Sequence, residues 1–211
     1  MNPLNYLPRP QLPRLASSAW IVDVAIQAMF LGRRTEAYAG LVALAGTRAG
    51  ETAVDVGSGT GELARLLAQT VGPTGLVVGV EPSEAAVDVA RDRAVPGCRF
   101  EVGSALHLPV ADGEADLLIS SLLIHHIEPA ERHAALIEAR RVLRPGGRLF
   151  IADLKRLDHG LANAAAGAVV PCFRAALTED ELRNLVVGAG FRLERAGEYW
   201  GRLRYVAAVR D

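Results

Sequence analysis

Residues 52–64, TAVDVGSGTGELA, decide how the rest of the chain is read. Thr52, Ala53, Val54, Asp55 and Val56 have the composition of a short buried strand; Gly57, Gly59 and Gly61 interrupt it, and Glu62, Leu63 and Ala64 open a helical pattern. A strand, a glycine loop and a helix in that order form a nucleotide-type binding turn. Glycine is wanted because the turn needs positive φ and because a ligand must lie against bare backbone. The spacing then narrows the ligand. A dinucleotide loop reads G-x-G-x-x-G, but counting from Gly57 puts Glu62 at the third glycine, where its carboxylate would meet a pyrophosphate at the helix N-terminus.

Outward from this stretch the chain alternates strand and helix. A helix over 63–71 leads to a strand over 76–80 that terminates at Glu81. Right-handed crossovers place that strand end beside the end of the first, where an acidic side chain can accept from both ribose hydroxyls. A helix over 84–93 capped by Ser83, a strand over 98–102 and the run GSALHLP at 103–109 follow. A fourth strand over 115–120 runs into SLLIHHI at 121–127, a helix over 130–143 ends at RPGG, and a fifth strand occupies 148–153. Thr178 and Glu181 form a capping box for another helix, and strands near 191–200 and 202–209 close the chain as a hairpin around Gly201.

Four of these regions, in order, resemble the motifs of class I S-adenosylmethionine-dependent methyltransferases: D-x-G-x-G-x-G from Asp55, Glu81-Pro82-Ser83, the run at 103–109, and RVLRPGGRLFIAD at 141–153. The pattern is similar to small-molecule members with an L-P motif and an H-H pair after strand four, and it covers residues 47–211. The resemblance implies an α/β Rossmann-like fold, a seven-stranded mostly parallel sheet of order 3-2-1-4-5-7-6 with helices on both faces. It implies S-adenosylmethionine across the ends of strands one and two. Asp55, Gly57, Ser58, Gly59, Gly61 and Ser120 would meet the methionine end, Glu81 and Pro82 the ribose, and Ser104, Ala105 and Leu106 the adenine. Ser104 stands where many relatives carry Asp. The cofactor is cationic at sulfur and lacks phosphate, so a loop framed by Asp55 and Glu62 suits it electrostatically.

His125 and His126 sit just beyond strand four and Asp153 ends strand five; neighbouring strands lie about 4.8 Å apart. One histidine, His126 by expectation, serves as a base with Asp153 nearby, while the other packs, because the turn cannot point both rings the same way. The opposing reading makes both histidines structural, with methyl transfer driven by positioning alone. His107, His133 and His159 have no carboxylate or cysteine cluster at ligand spacing, so no metal site is expected.

Composition bounds the rest. The 211 residues, half of them hydrophobic, suffice for one domain. A net charge of −1 without basic runs gives no footing for nucleic acid or a membrane surface. Cys98 and Cys172 form no disulfide framework and no leader is evident, which points to a cytoplasmic protein. A proline-rich arm over 1–16, a helical cover over 17–46 and a lid segment over 155–177 are expected around the domain over 17–211. The partner expected is a small-molecule methyl acceptor, with a homodimer left open. Two other functions stay open: a reaction of this fold without methyl transfer, such as cyclisation or decarboxylation, and a non-catalytic partner protein. An NAD-dependent oxidoreductase is disfavoured by Glu62 and the terminal hairpin.

Overall fold

A computed structural model describes residues 26–156 and 175–211. The expected arm over 1–16, the start of the cover and residues 157–174 of the lid segment lie outside the described residues. In chain order the elements are α1 (Arg34–Leu44), β1 (Thr52–Val56), α2 (Glu62–Val71), β2 (Leu76–Glu81), α3 (Glu84–Asp92), β3 (Cys98–Val102), β4 (Ala115–Ser121), a 3-10 turn (Ile124–His126), α4 (Arg132–Val142), β5 (Leu143–Leu154), α5 (Glu179–Gly188), β6 (Phe191–Tyr199) and β7 (Leu203–Arg210).

The strands hydrogen-bond in the order β3-β2-β1-β4-β5-β7-β6, as the sequence predicts. The first four pairings are parallel, and β7 enters antiparallel between β5 and β6. Both faces are covered, which is why the central strands read as continuous apolar runs. Ala53, Val77, Leu117, Ile119, Phe150 and Ala152 join one core with α1, α2 and α3. Val54, Val78, Leu118, Leu149, Ile151 and Val206 join the other with α4 and α5. The period of two along each strand therefore fixes which face every site residue occupies. No helix among the described residues is long and apolar enough to cross a membrane.

Two boundaries differ from expectation. The helix expected from residue 130 begins at Arg132, since Pro129 and Ala130 form the preceding turn. The RPGG stretch does not precede the fifth strand but bulges within it. Leu143 already pairs with Ala115, pairing resumes at Arg148 opposite Leu117, and the excursion is taken with Gly146 at φ +75°. A further contact has no signature in the sequence. The β6–β7 hairpin seats α1: the Tyr199 hydroxyl donates to the Ala37 carbonyl at 3.1 Å, and Trp200 meets the edge of Phe30 with ring centroids 6.1 Å apart. Gly40 is obligatory there, because a Cβ would fall 1.9 Å from the Tyr199 oxygen.

Candidate active site

The glycine loop is held against β2 by the N–H groups of Gly57 and Ser58, which both donate to the Val80 carbonyl at 2.8 and 3.1 Å. Gly57, Gly59 and Gly61 have φ of +80°, +52° and +83°, as the turn requires. Their surroundings separate them. A Cβ on Gly61 would lie 2.5 Å from the Phe100 ring, and one on Gly57 3.1 Å from the Leu123 side chain, whereas nothing lies within 4 Å of one on Gly59. At Gly57 and Gly61 the missing side chain thus makes room for protein, while the space beside Gly59 is open.

Carboxylates gather beneath this loop. Glu81 accepts from the Gly59 N–H through Oε2 and from the Ser83 N–H through Oε1, each at 3.1 Å. Asp55 is 1% exposed, and its Oδ2 has no hydrogen-bond partner. Burial, with the Glu81 charge second, pushes the Asp55 carboxyl up to about 7. The buried hydroxyls of Ser58, Ser120 and Ser121 are also without partners. An open stretch of backbone, two acids and unpaired polar atoms at adjoining strand ends fit a cationic cofactor that carries no phosphate.

Two expectations here need correction or narrowing. Glu62 does not face the loop: it is paired with Arg34 and accepts from the Thr35 hydroxyl at 2.6 Å, fastening α1 to α2. Ser104 spends its hydroxyl oxygen on the Leu106 N–H at 3.2 Å, closing a local turn in which the Ser104 carbonyl also receives the His107 N–H. Ala105 and Leu106 ride on that turn half-buried, and Pro82 is exposed at the end of β2.

The neighbouring corner is built from side chains. Leu122, at φ +58°, takes a conformation rare for a residue with a Cβ, and its N–H donates to the Ala152 carbonyl at 2.9 Å. The chain then winds into the 3-10 turn that carries both histidines. Asp153 accepts the His125 backbone N–H at 3.0 Å, the Leu154 N–H at 2.7 Å and the His125 ring through Nδ1. Both partners are nearly sealed from solvent. His126 is exposed and lies against His125, with ring centroids 4.0 Å apart and the planes tilted by 42°. Burial first, and then His125, hold the His126 imidazole below its ordinary pKa against the opposing pull of Asp153. Two expectations are therefore corrected: Asp153 supports His125 rather than His126, and the rings lie together, because the tight 3-10 turn brings adjacent side chains onto one side.

Two residues of this corner escaped the sequence reading. Arg132 ties the turn to the segment beyond it, donating to the Ile127 carbonyl at 3.0 Å and the Ala175 carbonyl at 3.2 Å. Arg204 stands opposite Asp153 in the β5–β7 register and is 6% exposed. A lone arginine inside the apolar stretch LRYVAAV was the signal available for it. Among the described residues, no group of three His, Cys, Asp or Glu side chains is arranged to hold a metal.

Comparison with known proteins agrees with this geometry. A family model described as "Methyltransferase domain" matches residues 53–147. The ubiquinone/menaquinone biosynthesis C-methyltransferase UbiE of Pseudomonas fluorescens is 30% identical over 177 residues, covering 71% of this chain and 68% of that protein. The arsenite methyltransferase of Halobacterium salinarum is 34% identical over 155 residues, covering 71% of this chain. The chain spans 39% of that enzyme's length and 31% of another curated relative's. The crystal structure of a SAM-dependent methyltransferase from Aquifex aeolicus superposes with a TM-score of 0.74 at 23% identity, covering 89% of this chain and 98% of its own. Sequence relationship and strand order converge on one conclusion: the chain belongs to the class I S-adenosylmethionine-dependent methyltransferase family.

Proposed function

We propose that this protein transfers the methyl group of S-adenosylmethionine to a small-molecule acceptor lying over the ends of β4 and β5. One juxtaposition carries the reading: β1 and β4 pair in parallel, so the glycine loop after β1, gripped by Glu81 at Gly59, and the turn after β4, with an accessible His126 beside a sealed His125–Asp153 pair, leave the same edge of the sheet. When bound, the cofactor supplies an electrophilic methyl group. Glu81, already oriented by two N–H donors, keeps lone pairs for the ribose hydroxyls. Ser121, at the end of β4 on the face that carries Leu117 and Ile119, offers its unpartnered hydroxyl to the methionine end. Transfer needs an in-line approach, so holding both reactants over adjoining strand ends supplies much of the acceleration.

An acceptor that enters protonated must lose a proton. His126 is neutral at neutral pH, because its pKa is depressed, and it is the exposed member of the pair. It takes the proton, and His125, locked by Asp153, fixes the ring of His126 in place. The relatives named for quinone biosynthesis and for arsenite support an acceptor of small size.

Calorimetry with S-adenosylhomocysteine and with NAD is the first test: the former is expected to bind and the latter not. Incubation with methyl-labelled cofactor and fractionated extract of the producing cell is the second. Label is expected in the low-mass fraction. Label in protein or nucleic acid would overturn the small acceptor, and cofactor binding without any labelled product would favour a non-methylating reaction of this fold.

A further inference from the structure

The sheet has two outer edges, and they are protected unequally. At one end β6 is bent by a register shift between Leu193 and Arg195 and carries Arg192, Glu194, Arg195 and Glu198. Bulges and charges of this kind blunt an edge against further pairing. At the other end β3 pairs with β2 without a shift, and among the described residues no strand lies beyond it. The Val77 N–H donates to the Gly97 carbonyl at 2.8 Å and the Gly103 N–H to the Glu81 carbonyl at 3.2 Å. By alternation Arg99 and Glu101 spend their main-chain groups on β2, while those of Cys98, Phe100 and Val102 point outward. The Cys98 N–H is taken by the Val95 carbonyl and the Phe100 carbonyl by Nε of Arg91, each at 3.0 Å. The Phe100 and Val102 N–H groups and the Cys98 carbonyl remain on the edge.

The strand, Cys98-Arg99-Phe100-Glu101-Val102, is complementary to its own reverse. Set antiparallel against a second copy about a twofold axis at Phe100, it places Arg99 opposite Glu101 on both sides of the axis and Cys98 opposite Val102. The outward groups make Phe100–Phe100 and Cys98–Val102 the hydrogen-bonded pairs. Arg99–Glu101 is then the non-hydrogen-bonded pair, in which side chains come closest and opposite charges attract. Arg99 and Val102 are exposed and Glu101 is half-buried, so the groups this pairing needs are within reach of a partner. We propose that β3 is the docking edge for a second copy of this chain, running one sheet through both copies. Each copy gives its Phe100 N–H to the other's Phe100 carbonyl and its Val102 N–H to the other's Cys98 carbonyl. Arg91, a half-exposed side chain, swings off the Phe100 carbonyl to admit the partner and so keeps the association weak. Twofold pairing uses the same patch on both copies, and assembly stops at the dimer.

The test is sedimentation equilibrium of the full chain over a wide concentration series, with thermal melts to check that each variant is folded. The parent is expected to show a reversible monomer–dimer equilibrium. Arg91→Ala removes the competing donor and should tighten it about tenfold. Arg99→Glu sets like charges opposite each other and should weaken it about tenfold, and Arg99→Glu combined with Glu101→Arg should restore it. Val102→Pro deletes an outward N–H while leaving the bonds to β2 in place, and should abolish the dimer. A parent that stays monomeric throughout would overturn the inference, as would a dimer that any of these substitutions fails to move in the stated direction. Open-ended oligomers, the mark of β3 pairing with β6, would overturn it as well.

Discussion

The two corners of the site are built differently. At the ends of β1 and β2 the donors come from the main chain: N–H groups of Gly57, Ser58, Gly59 and Ser83, with the two glycines at positive φ. At the ends of β4 and β5 the contacts come from side chains, with Asp153 of β5 holding His125, and His126 against His125, on a turn strained at Leu122. The first arrangement tolerates little change in local geometry because its parts are backbone. The second can be re-aimed by one substitution, which is what a protein needs where the acceptor varies while the cofactor does not.

Breaking the side-chain corner should have the largest effect. Asp153→Ala leaves three buried donors without their acceptor, and a loss of about 3–5 kcal/mol is expected in denaturant unfolding. A loss below about 1 kcal/mol would mean that the turn finds other acceptors, and the contrast between the corners would lapse.

Gly61→Ala tests the backbone corner. Its Cβ would press on Phe100 at 2.5 Å with φ at +83°, and overpacking and backbone strain together predict roughly 3 kcal/mol of destabilisation. Full stability would show that Phe100 yields freely. His126→Ala, by contrast, should leave stability within about 0.5 kcal/mol while slowing single-turnover methyl transfer about a hundredfold. The sign of its pH dependence follows from the depressed pKa: the imidazole is the active neutral form above that value, so the parent rate should be flat at neutral pH and fall only on the acid side of an ordinary imidazole's titration. A parent-like rate in His126→Ala from pH 6 to 9 would reduce the pair to packing.

Smaller effects sharpen the picture. Glu81→Gln keeps the shape but sets an amide N–H₂ against the Gly59 or Ser83 donor, and affinity for S-adenosylhomocysteine should drop about tenfold. Unchanged affinity in calorimetry would reject the ribose assignment. Gly59→Ala is the mildest for folding, about 1 kcal/mol for its left-handed backbone, since no atom lies within 4 Å of the new Cβ. Its effect should instead appear as weakened cofactor binding. A Gly59→Ala protein as destabilised as Gly61→Ala would erase the distinction drawn between the glycines.

The same contrast explains what could be read beforehand. The glycines and the Glu81 spacing are local, so the corner built by residues 52–109 was legible, and the strand order implied by the resemblance, whose motifs reach residue 153, is the one observed. The use of each glycine was not local: Gly61 serves a ring on β3, and no pattern near Gly61 announces Phe100. Glu62 was misread for a similar reason, since its partner Arg34 lies on a helix whose docking depends on tertiary contacts. His125 and His126 were found, but the choice between them was set by the 3-10 turn after Leu122, and a positive φ at a leucine leaves no mark in sequence. Arg204 was missed because the β5–β7 register, not proximity along the chain, sets it beside Asp153.

The position of β7 between β5 and β6 has a consequence for the order in which the protein can be completed during synthesis. Residues 143–154 emerge well before residues 203–210, and until the latter are available one side of β5 exposes unpaired backbone along the apolar run Leu149, Phe150, Ile151 and Ala152. The seat of α1 on Tyr199 and Trp200 is missing over the same interval. A ribosome pausing before residue 203 would therefore hold out a sticky strand edge and a loose first helix together, until the eight residues of β7 slide into place.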